Sequence, residues 1–462
     1  MNLHPSIFKT YDVRGIYPTQ VDEAGAYAIG RAYATLMLKE NGGKSMSIAV
    51  GSDARLSSPA LKAMLVKGLT ESGLSVLDIG LVSTPTYYYA VAAKGYDGGI
   101  QVSASHNPKE YNGFKMVRKG GIMIGFDTGL RELKNIIDTQ NYAPLVASEK
   151  KGTVNVVPSI VESQVGEQGK VLLIKHPIRP MEIIVDTANG MAVMELKALA
   201  KRLPQINFVW MNEQLDGSFP AHPADPMRPE NVADLCKRII AEKADFGIAT
   251  DGDGDRYFFF DETGESIPQE ILRGIMAQII LAEDPGAKIV YDIRPGKITP
   301  DTILKCGGQP ILAPVGHTLI KEVMLKEDAP YGGESSGHHF FKFSYGTFEA
   351  PVVFVLNLLQ FFSHTSNPIS AQVKPYRQYF NTGEINTKLE SREKGLAVIE
   401  IVKQKYADGE QNLLDGVTVT YPSYSFNLRL GNTEPLLRLI VESKDETVME
   451  QKRDELLKII KA

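Results

Sequence analysis

MSIAVGSDARLSSPALKAMLVKGLTESGLSVLDIGLVSTPTYYYAVAAKGYDGGIQVS, residues 46–103, decides the fold class. An apolar run (46–50) gives way to a polar loop. Ser58-Pro59 then reads as an N-cap serine with proline in the first turn of a helix, which Gly73 closes. A second apolar run follows at 76–79. Thr84-Pro85 repeats the cap signature, the helix it opens ends near Gly95, and 98–103 is strand-like again. Strand, helix and strand joined by short connections predict right-handed βαβ units on a largely parallel sheet.

The pattern recurs twice downstream. EIIVD (182–186) precedes a glycine turn at Gly190, and KIVYD (288–292) precedes Gly296. Each leads through a helix-like stretch to another apolar strand, at 206–210 and 311–313. Three such units predict an α/β protein with three related mixed α/β domains, and their irregular spacing argues against a solenoid. The polar stretch SHTSNPISAQ (363–372) reads as a linker, beyond which a short α+β pattern ends in a charged helix over 446–461. The domain edges are drawn at 1–155, 156–265, 266–372 and 373–462. A chain of 462 residues suits that number.

Lys and Arg number 50 against 55 Asp and Glu, a net charge of −5, so no overall basic field attracts nucleic acid or an anionic membrane. Any anion must be held by a local site. Two cysteines, Cys236 and Cys306, cannot build a disulfide framework or a cysteine-rich zinc site. The start, MNLHPSIFKTYDVRG, carries no apolar signal core. The most apolar late run, 351–362, is broken by Asn357 and Gln360 and is too short to span a bilayer. The expectation is a soluble cytoplasmic protein.

Four loops carry chemistry, and in open α/β sheets ligands collect beyond the carboxyl ends of strands. SASHNP (103–108) follows the strand at 98–102 and offers Ser105 as a nucleophile or phosphate carrier. Neighbouring residues on an extended segment point opposite ways, so His106 is expected to be poorly placed as a base for Ser105. No GxSxG elbow is present.

DGDGDR (251–256) follows the apolar strand 246–249. Asp251, Asp253 and Asp255 at alternate positions would repel one another without a cation, and oxygen-only ligands suit Mg²⁺, Mn²⁺ or Ca²⁺. Glu262 falls at the twelfth position of a calcium loop, but Arg256 stands at the sixth where glycine is needed, and 257–260 continues as a strand. An EF-hand is excluded. GGESSGH (332–338) places Glu334 and Ser336 between glycines, an acceptor and a hydroxyl suited to sugar hydroxyls. RLGNTEP (429–435) combines the fork of Arg429 with Gly431, Asn432 and Thr433 between two strands, a phosphate cradle or a plain hairpin turn. Together the loops supply a serine to carry a phosphoryl group, a divalent ion, a hydroxyl reader and a distal phosphate clamp, the inventory of phosphoryl transfer.

These motifs, with FKTYDVRGIYP at the start, DGSFPAHPADPMRPEN (216–231), PVGHTLIK (314–321) and GEIN (383–386), give a chain that resembles the α-D-phosphohexomutases along essentially its whole length. The resemblance is greatest to the bacterial phosphomannomutase/phosphoglucomutase branch. It implies four domains around a central cleft, the fourth a small α+β domain. It implies phosphorylation of Ser105, Mg²⁺ held by Asp251, Asp253, Asp255 and a phosphoserine oxygen, and recognition of sugar O3 and O4 by Glu334 and Ser336. Arg429, Gly431, Asn432 and Thr433 would grip the phosphate not being transferred. Tyr11 and Arg14 would contact phosphate or sugar, and Lys115, Arg256 and His317 are candidates for acid–base work.

The implied reaction interconverts hexose 1-phosphate and hexose 6-phosphate, of mannose or glucose, through a bound hexose 1,6-bisphosphate that also serves as activator. The partner is a small phosphosugar, and the resemblance leaves monomer and dimer open. Phosphoglucosamine mutase is the rival within the class; Asn432, Ser335 and EYNGFK favour glucose or mannose. A non-catalytic phosphosugar-binding relative is the rival outside it, disfavoured by Ser105 standing beside three intact aspartates. A metal-dependent phosphatase has no evident need of a second phosphate clamp. The chain departs from the family pattern at Gly431, where serine is common, at TFEAP (347–351), where Glu349 replaces one acid, and at DIRPGK (292–297).

Overall fold

The structure, a computed structural model, describes residues 3–171, 173, 176–431 and 436–461. The chain divides into two compact units, Met1–Ser266 with Gly337–Ile369, and Ile267–Ser336 with Ser370–Ala462.

The first sheet of unit 1 runs in the order Val13–Ile16, Tyr111–Arg118, Gly98–Val102, Ser47–Ser52, Ser75–Leu81, Val154–Val156. Its centre is parallel, since Ser47–Ser52 pairs in parallel with both Gly98–Val102 and Ser75–Leu81. Tyr111–Arg118 turns back antiparallel on Gly98–Val102, bringing Lys115 opposite Gln101. The helices Glu23–Glu40, Ser58–Glu71, Thr84–Ala93 and Arg131–Thr139 belong to the same layered domain. Ile48, Val50, Leu61, Leu65, Ile100, Val102 and Phe114 lie in its core, all inaccessible to solvent.

Both expected helix starts shift by one residue. Ser57, not Ser58, is the N-cap of the helix Ser58–Glu71, and it makes no side-chain cap bond. The Ser58 hydroxyl is engaged elsewhere, donating to Asp53 Oδ1 at 2.7 Å. Ser83 caps Thr84–Ala93, accepting from Thr86 N at 3.1 Å. That leaves the Thr84 hydroxyl for another partner.

The second sheet of unit 1 contains Tyr257–Asp261, Phe246–Thr250, Met181–Asp186 and Ile206–Met211 in that spatial order. The apolar run 351–362 forms the helix Pro351–Phe362, buried at every position but Phe361. It packs on this sheet through Phe354 against Phe259 and Phe362 against Phe246, each with ring centroids 5.5 Å apart. Among the described residues no helix is long and apolar enough to cross a membrane.

Unit 2 holds the parallel set Gln309–Ala313, Lys288–Asp292 and Tyr331–Gly333 with the helices Gln269–Glu283, Ile298–Lys305 and His317–Glu327. Its C-terminal part is antiparallel. Glu410–Asn412, Val417–Thr420, Tyr424–Leu430 and Leu436–Ser443 lie in order, and Phe380–Asn381 and Ile385–Lys388 both pair with the last. The helices Arg392–Lys405 and Glu446–Lys461 contribute Val402 and Leu456 to one core with Val419, Phe426 and Val441. The stretch read as a linker is not wholly irregular, for Ile369–Val373 forms a short helix.

Candidate active site

The loop after Gly98–Val102 turns because Ser105 adopts a left-handed backbone, φ 53°. This conformation is uncommon for a residue with a Cβ and marks a position held by its surroundings. It also corrects the expectation for His106. The segment is not extended there, and His106 Nδ1 lies 3.3 Å from Ser105 Oγ. Ser105 is 4% exposed. Its hydroxyl donates to Asp251 Oδ2 at 3.2 Å and lies 3.5 Å from Arg256 Nη2.

The two glycines of Asp251-Gly-Asp-Gly-Asp255 serve different purposes. A Cβ on Gly252 would come within 2.7 Å of the Ser105 carbonyl oxygen, so glycine is what lets the acidic loop meet the serine loop. Gly254 sits at φ +75°, where side chains are strained. The resulting turn aims the backbone N–H groups of Gly254, Asp255 and Arg256 at Asp251 Oδ1, at 3.1–3.3 Å. Oxygens of Asp251, Asp253 and Asp255 all lie within 4.8 Å of one another, and the three residues are buried.

Lys115 Nζ donates to Asp253 Oδ2 and Asp255 Oδ2, both at 2.7 Å. Arg256 Nε lies 3.1 Å from Asp251 Oδ2. Burial, with Asp255 and Asp253 alongside, pushes the Asp251 carboxyl well above the usual carboxylate range. Burial and then Asp253 push Asp255 up to about 7. Burial acts the same way on Asp253, but Lys115 and Thr84 hold it down to about 2. Burial works against the charge of Lys115, and Asp253 and Asp255 more than offset it, raising the ammonium well above its ordinary value.

The residues fit a divalent cation. Among the described residues Asp253 Oδ1 and Asp255 Oδ1 are buried carboxylate oxygens without a hydrogen-bond partner, an arrangement that is costly in a protein interior without added positive charge. An oxygen-only set containing Ser105 Oγ and three carboxylates suits Mg²⁺.

Other residues gather here. Arg14 Nη1 donates to Asn107 Oδ1 at 2.5 Å, and Nη2 pairs with Asp12, which fixes the arginine on the serine loop. Tyr11 is half-buried just before the strand Val13–Ile16. Three members escaped sequence reasoning or were only glimpsed by it. Thr84 Oγ1 donates to Asp253 Oδ2 at 2.5 Å; in the sequence it looks only like part of a helix cap. His338 Nδ1 lies 3.7 Å from Asp255 Oδ1 and 3.8 Å from Glu349 Oε1, so Glu349, noted as a departure, stands inside this cluster, 1% exposed.

The remaining predicted residues belong to unit 2. Glu334 is buried and accepts from Arg294 Nη2 at 3.0 Å, and Ser336 is half-buried two residues on. His317, also half-buried, is the first residue of the helix His317–Glu327. Arg429 is 2% exposed, and its Nη2 donates to Glu384 Oε2 at 2.7 Å. Glu384 also accepts from Arg438, directly opposite Arg429 in the sheet. Burial, with Arg294 nearby, lowers the Arg429 value. Gly431 N donates to Leu436 O at 2.7 Å and closes the hairpin. Asn432 and Thr433 lie outside the described residues.

Comparison with known proteins assigns the whole chain. The four phosphoglucomutase/phosphomannomutase domain families match in order: α/β/α domains I, II and III at residues 5–143, 163–264 and 269–379, and the C-terminal domain at 384–459. A phosphomannomutase of Vibrio cholerae is 37% identical over 98% of both chains. A protein of Xanthomonas campestris described as phosphohexose mutases is 36% identical over 98% of this chain and 99% of its own. A solved structure of a phosphoglucomutase/phosphomannomutase family protein from Burkholderia thailandensis superposes with a TM-score of 0.86 at 31% identity, covering 99% of this chain and 98% of that one. With a serine loop, an acidic triad and four family domains in sequence, this chain belongs to the phosphoglucomutase/phosphomannomutase family, the bacterial branch of the α-D-phosphohexomutase enzymes.

Proposed function

We propose that this phosphohexomutase interconverts the 1- and 6-phosphates of mannose, glucose or both, with Ser105 carrying the phosphoryl group and a hexose 1,6-bisphosphate as bound intermediate. One observation carries the reading: the Ser105 hydroxyl lies 3.2 Å from Asp251, beside a buried triad in which two carboxylate oxygens accept no hydrogen bond from the described residues.

In this reading the free sugar hydroxyl takes the phosphoryl group from phospho-Ser105, and the serine oxygen recovers a proton. The bisphosphate returns its other phosphoryl group to Ser105, and the isomeric monophosphate leaves. Asp251, Asp253 and Asp255 with a phosphoserine oxygen would hold Mg²⁺, which when bound neutralises charge on the phosphoryl group. Arg256, within 3.5 Å of Ser105 Oγ, and Lys115 add fixed positive charge, and with His317 they are the candidates for proton transfer. Arg14, tied to Asn107, faces the same loop as a phosphate contact beside Tyr11. Glu334 and Ser336 serve sugar O3 and O4, and Arg429, Gly431, Asn432 and Thr433 the phosphate that is not transferred.

A coupled assay with glucose, mannose and glucosamine phosphates, with Mg²⁺ and a trace of glucose 1,6-bisphosphate, tests the substrate. Turnover of glucose and mannose phosphates is expected. Activity on glucosamine phosphate alone would move the chain to the rival branch. Intact mass should show a phosphorylated fraction that disappears in Ser105→Ala together with turnover; full activity in that variant would defeat the phosphoserine mechanism.

A further inference from the structure

Arg55 is 1% exposed and has no role in the chemistry above, yet every N–H of its guanidinium is used. Nε donates to Asp53 Oδ2 at 3.1 Å. Nη1 donates to the carbonyls of Pro108 at 2.7 Å and Tyr111 at 3.0 Å. Nη2 donates to the carbonyls of Ser105 at 2.7 Å and Asn107 at 2.6 Å. Four of the five acceptors are thus backbone oxygens, three on the serine loop and the fourth on Tyr111, where the next strand begins.

The arginine is itself held. Asp53 accepts from Ser58 Oγ at 2.7 Å and from Arg55 N at 3.1 Å. The guanidinium lies 5.1 Å from the centroid of the Phe219 ring, in the DGSFP segment that the mechanism leaves unused. A Cβ on Gly217 would fall 2.3 Å from Arg55 Cα, so that segment is seated directly against the arginine.

Four carbonyls converging on one point repel one another unless a cation sits among them. One of the four belongs to Ser105, so the arginine fixes the peptide plane that follows the left-handed residue. We infer that Arg55 is a positioning residue for phosphoryl transfer. It touches no reacting atom, and it holds Ser105 in the backbone conformation that turns Oγ toward Asp251 and Arg256. The inference rests on the reading of Ser105 as the phosphoryl carrier.

The internal repeat supports it independently. In unit 2 the Asp-x-Arg spacing recurs as Asp292 and Arg294, at the end of the strand Lys288–Asp292. That strand pairs in parallel with Tyr331–Gly333, as Ser47–Ser52 pairs with Gly98–Val102. There too the arginine reaches into the loop after the neighbouring strand, donating to Glu334 at 3.0 Å, while Asp292 accepts from Ser335 N at 2.8 Å. In each place the arginine of the spacing donates into the loop that follows the neighbouring parallel strand.

The test compares Arg55→Lys and Arg55→Met with the wild type in three measurements. These are single-turnover transfer from glucose 1,6-bisphosphate to Ser105 followed by intact mass, steady-state kcat and KM, and amide hydrogen exchange over 104–111. Lysine retains the charge but offers three donors in place of five. It should leave the melting temperature near that of the wild type, slow transfer and kcat about tenfold or more with KM changed less than about threefold, and speed exchange in the loop. Methionine should cost about 100-fold or more in kcat. Wild-type transfer and loop exchange in Arg55→Lys would overturn the inference. Global unfolding of both variants would overturn it too, since the arginine would then be purely structural. If wild-type Ser105 never accepts a phosphoryl group, the mechanism fails, while the exchange measurement still reads the hold of Arg55 on the loop.

Discussion

Thr84 and Asp253 are joined twice: the threonine hydroxyl donates to Asp253 Oδ2 at 2.5 Å, and its backbone N–H donates to the Asp253 carbonyl at 3.0 Å. The start of the helix Thr84–Ala93, in the first α/β domain, is thereby pinned to the acidic loop of the second. The residues flanking Thr84 extend the tie. Ser83 and Thr86 both hydrogen-bond the carboxyl of Glu195, in the helix Ala192–Ala200. Bonds of this kind would orient Asp253 for a metal ion.

Thr84→Val keeps the shape and the backbone bond but removes the hydroxyl. Its affinity for Mn²⁺ or Mg²⁺, measured by calorimetry or by electron paramagnetic resonance of Mn²⁺, should fall about 10–100-fold, and Thr84→Ser should recover most of it. Equal affinity in all three proteins would show that Asp253 needs no such support.

Gly252 makes a sharper geometric claim. The Cβ of Gly252→Ala would lie 2.7 Å from the Ser105 carbonyl oxygen and 3.4 Å from the Phe219 ring, so one of the two loops must move. The variant should fold, yet lose about 100-fold in kcat, because displacement by a fraction of an ångström to an ångström spoils in-line transfer. Gly254→Ala should instead strain its own loop, at φ +75°, and weaken metal binding first. Comparing kcat with metal affinity in the two variants checks the distinction.

The clustering of Asp251, Asp253 and Asp255 was legible because the three stand at alternate positions of one glycine-containing loop. The parallel α/β organisation was legible because apolar runs, caps and glycines punctuate the chain at the right lengths. Lys115 and Thr84 were not legible as partners of the triad, since strand pairing and helix packing bring them there from more than 130 residues away. The conformation of Ser105 was hidden for the same reason: nothing local asks a serine for φ 53°, and the contacts that impose it come from Arg55 and the acidic loop. That turn brings His106 Nδ1 to 3.3 Å from Ser105 Oγ, where an extended segment would turn it away. In the helix starts the side chain read as a cap bonds another group, Asp53 five residues upstream for Ser58 and the distant Asp253 for Thr84.

Arg429 tests the proposed distal phosphate clamp. It is buried and paired with Glu384, which it shares with Arg438. Arg429→Lys keeps a charge but loses the planar fork that matches a phosphate. KM for the hexose phosphates should rise about tenfold with little change in kcat, the pattern expected when uniform binding is removed. A fall in kcat at constant KM would place Arg429 in the transfer step instead.

Glu442 predicts a pH dependence of stability within unit 2. It is 2% exposed in the strand Leu436–Ser443, accepts from Lys297 N at 2.9 Å, and its Oε1 is buried with no hydrogen bond to it among the described residues. Burial first, then Glu270 and Asp301, push its carboxyl up to about 7, against the opposing bonds from Lys297 N and Asn381. The folded chain therefore holds a proton that the unfolded chain releases near the ordinary glutamate value. Between that value and about 7 the folded state binds more protons, so stability falls as pH rises through this window and then levels off. Glu442→Gln keeps the shape and can accept the Lys297 bond without charge. At pH 8 it should be more stable than the wild type by on the order of 1–3 kcal/mol, and below pH 5 the two should converge. Thermal melts of both proteins from pH 5 to pH 9 check this. A wild-type advantage at pH 8 would mean that the ionised carboxylate is stabilised in the fold by partners strong enough to overcome its burial.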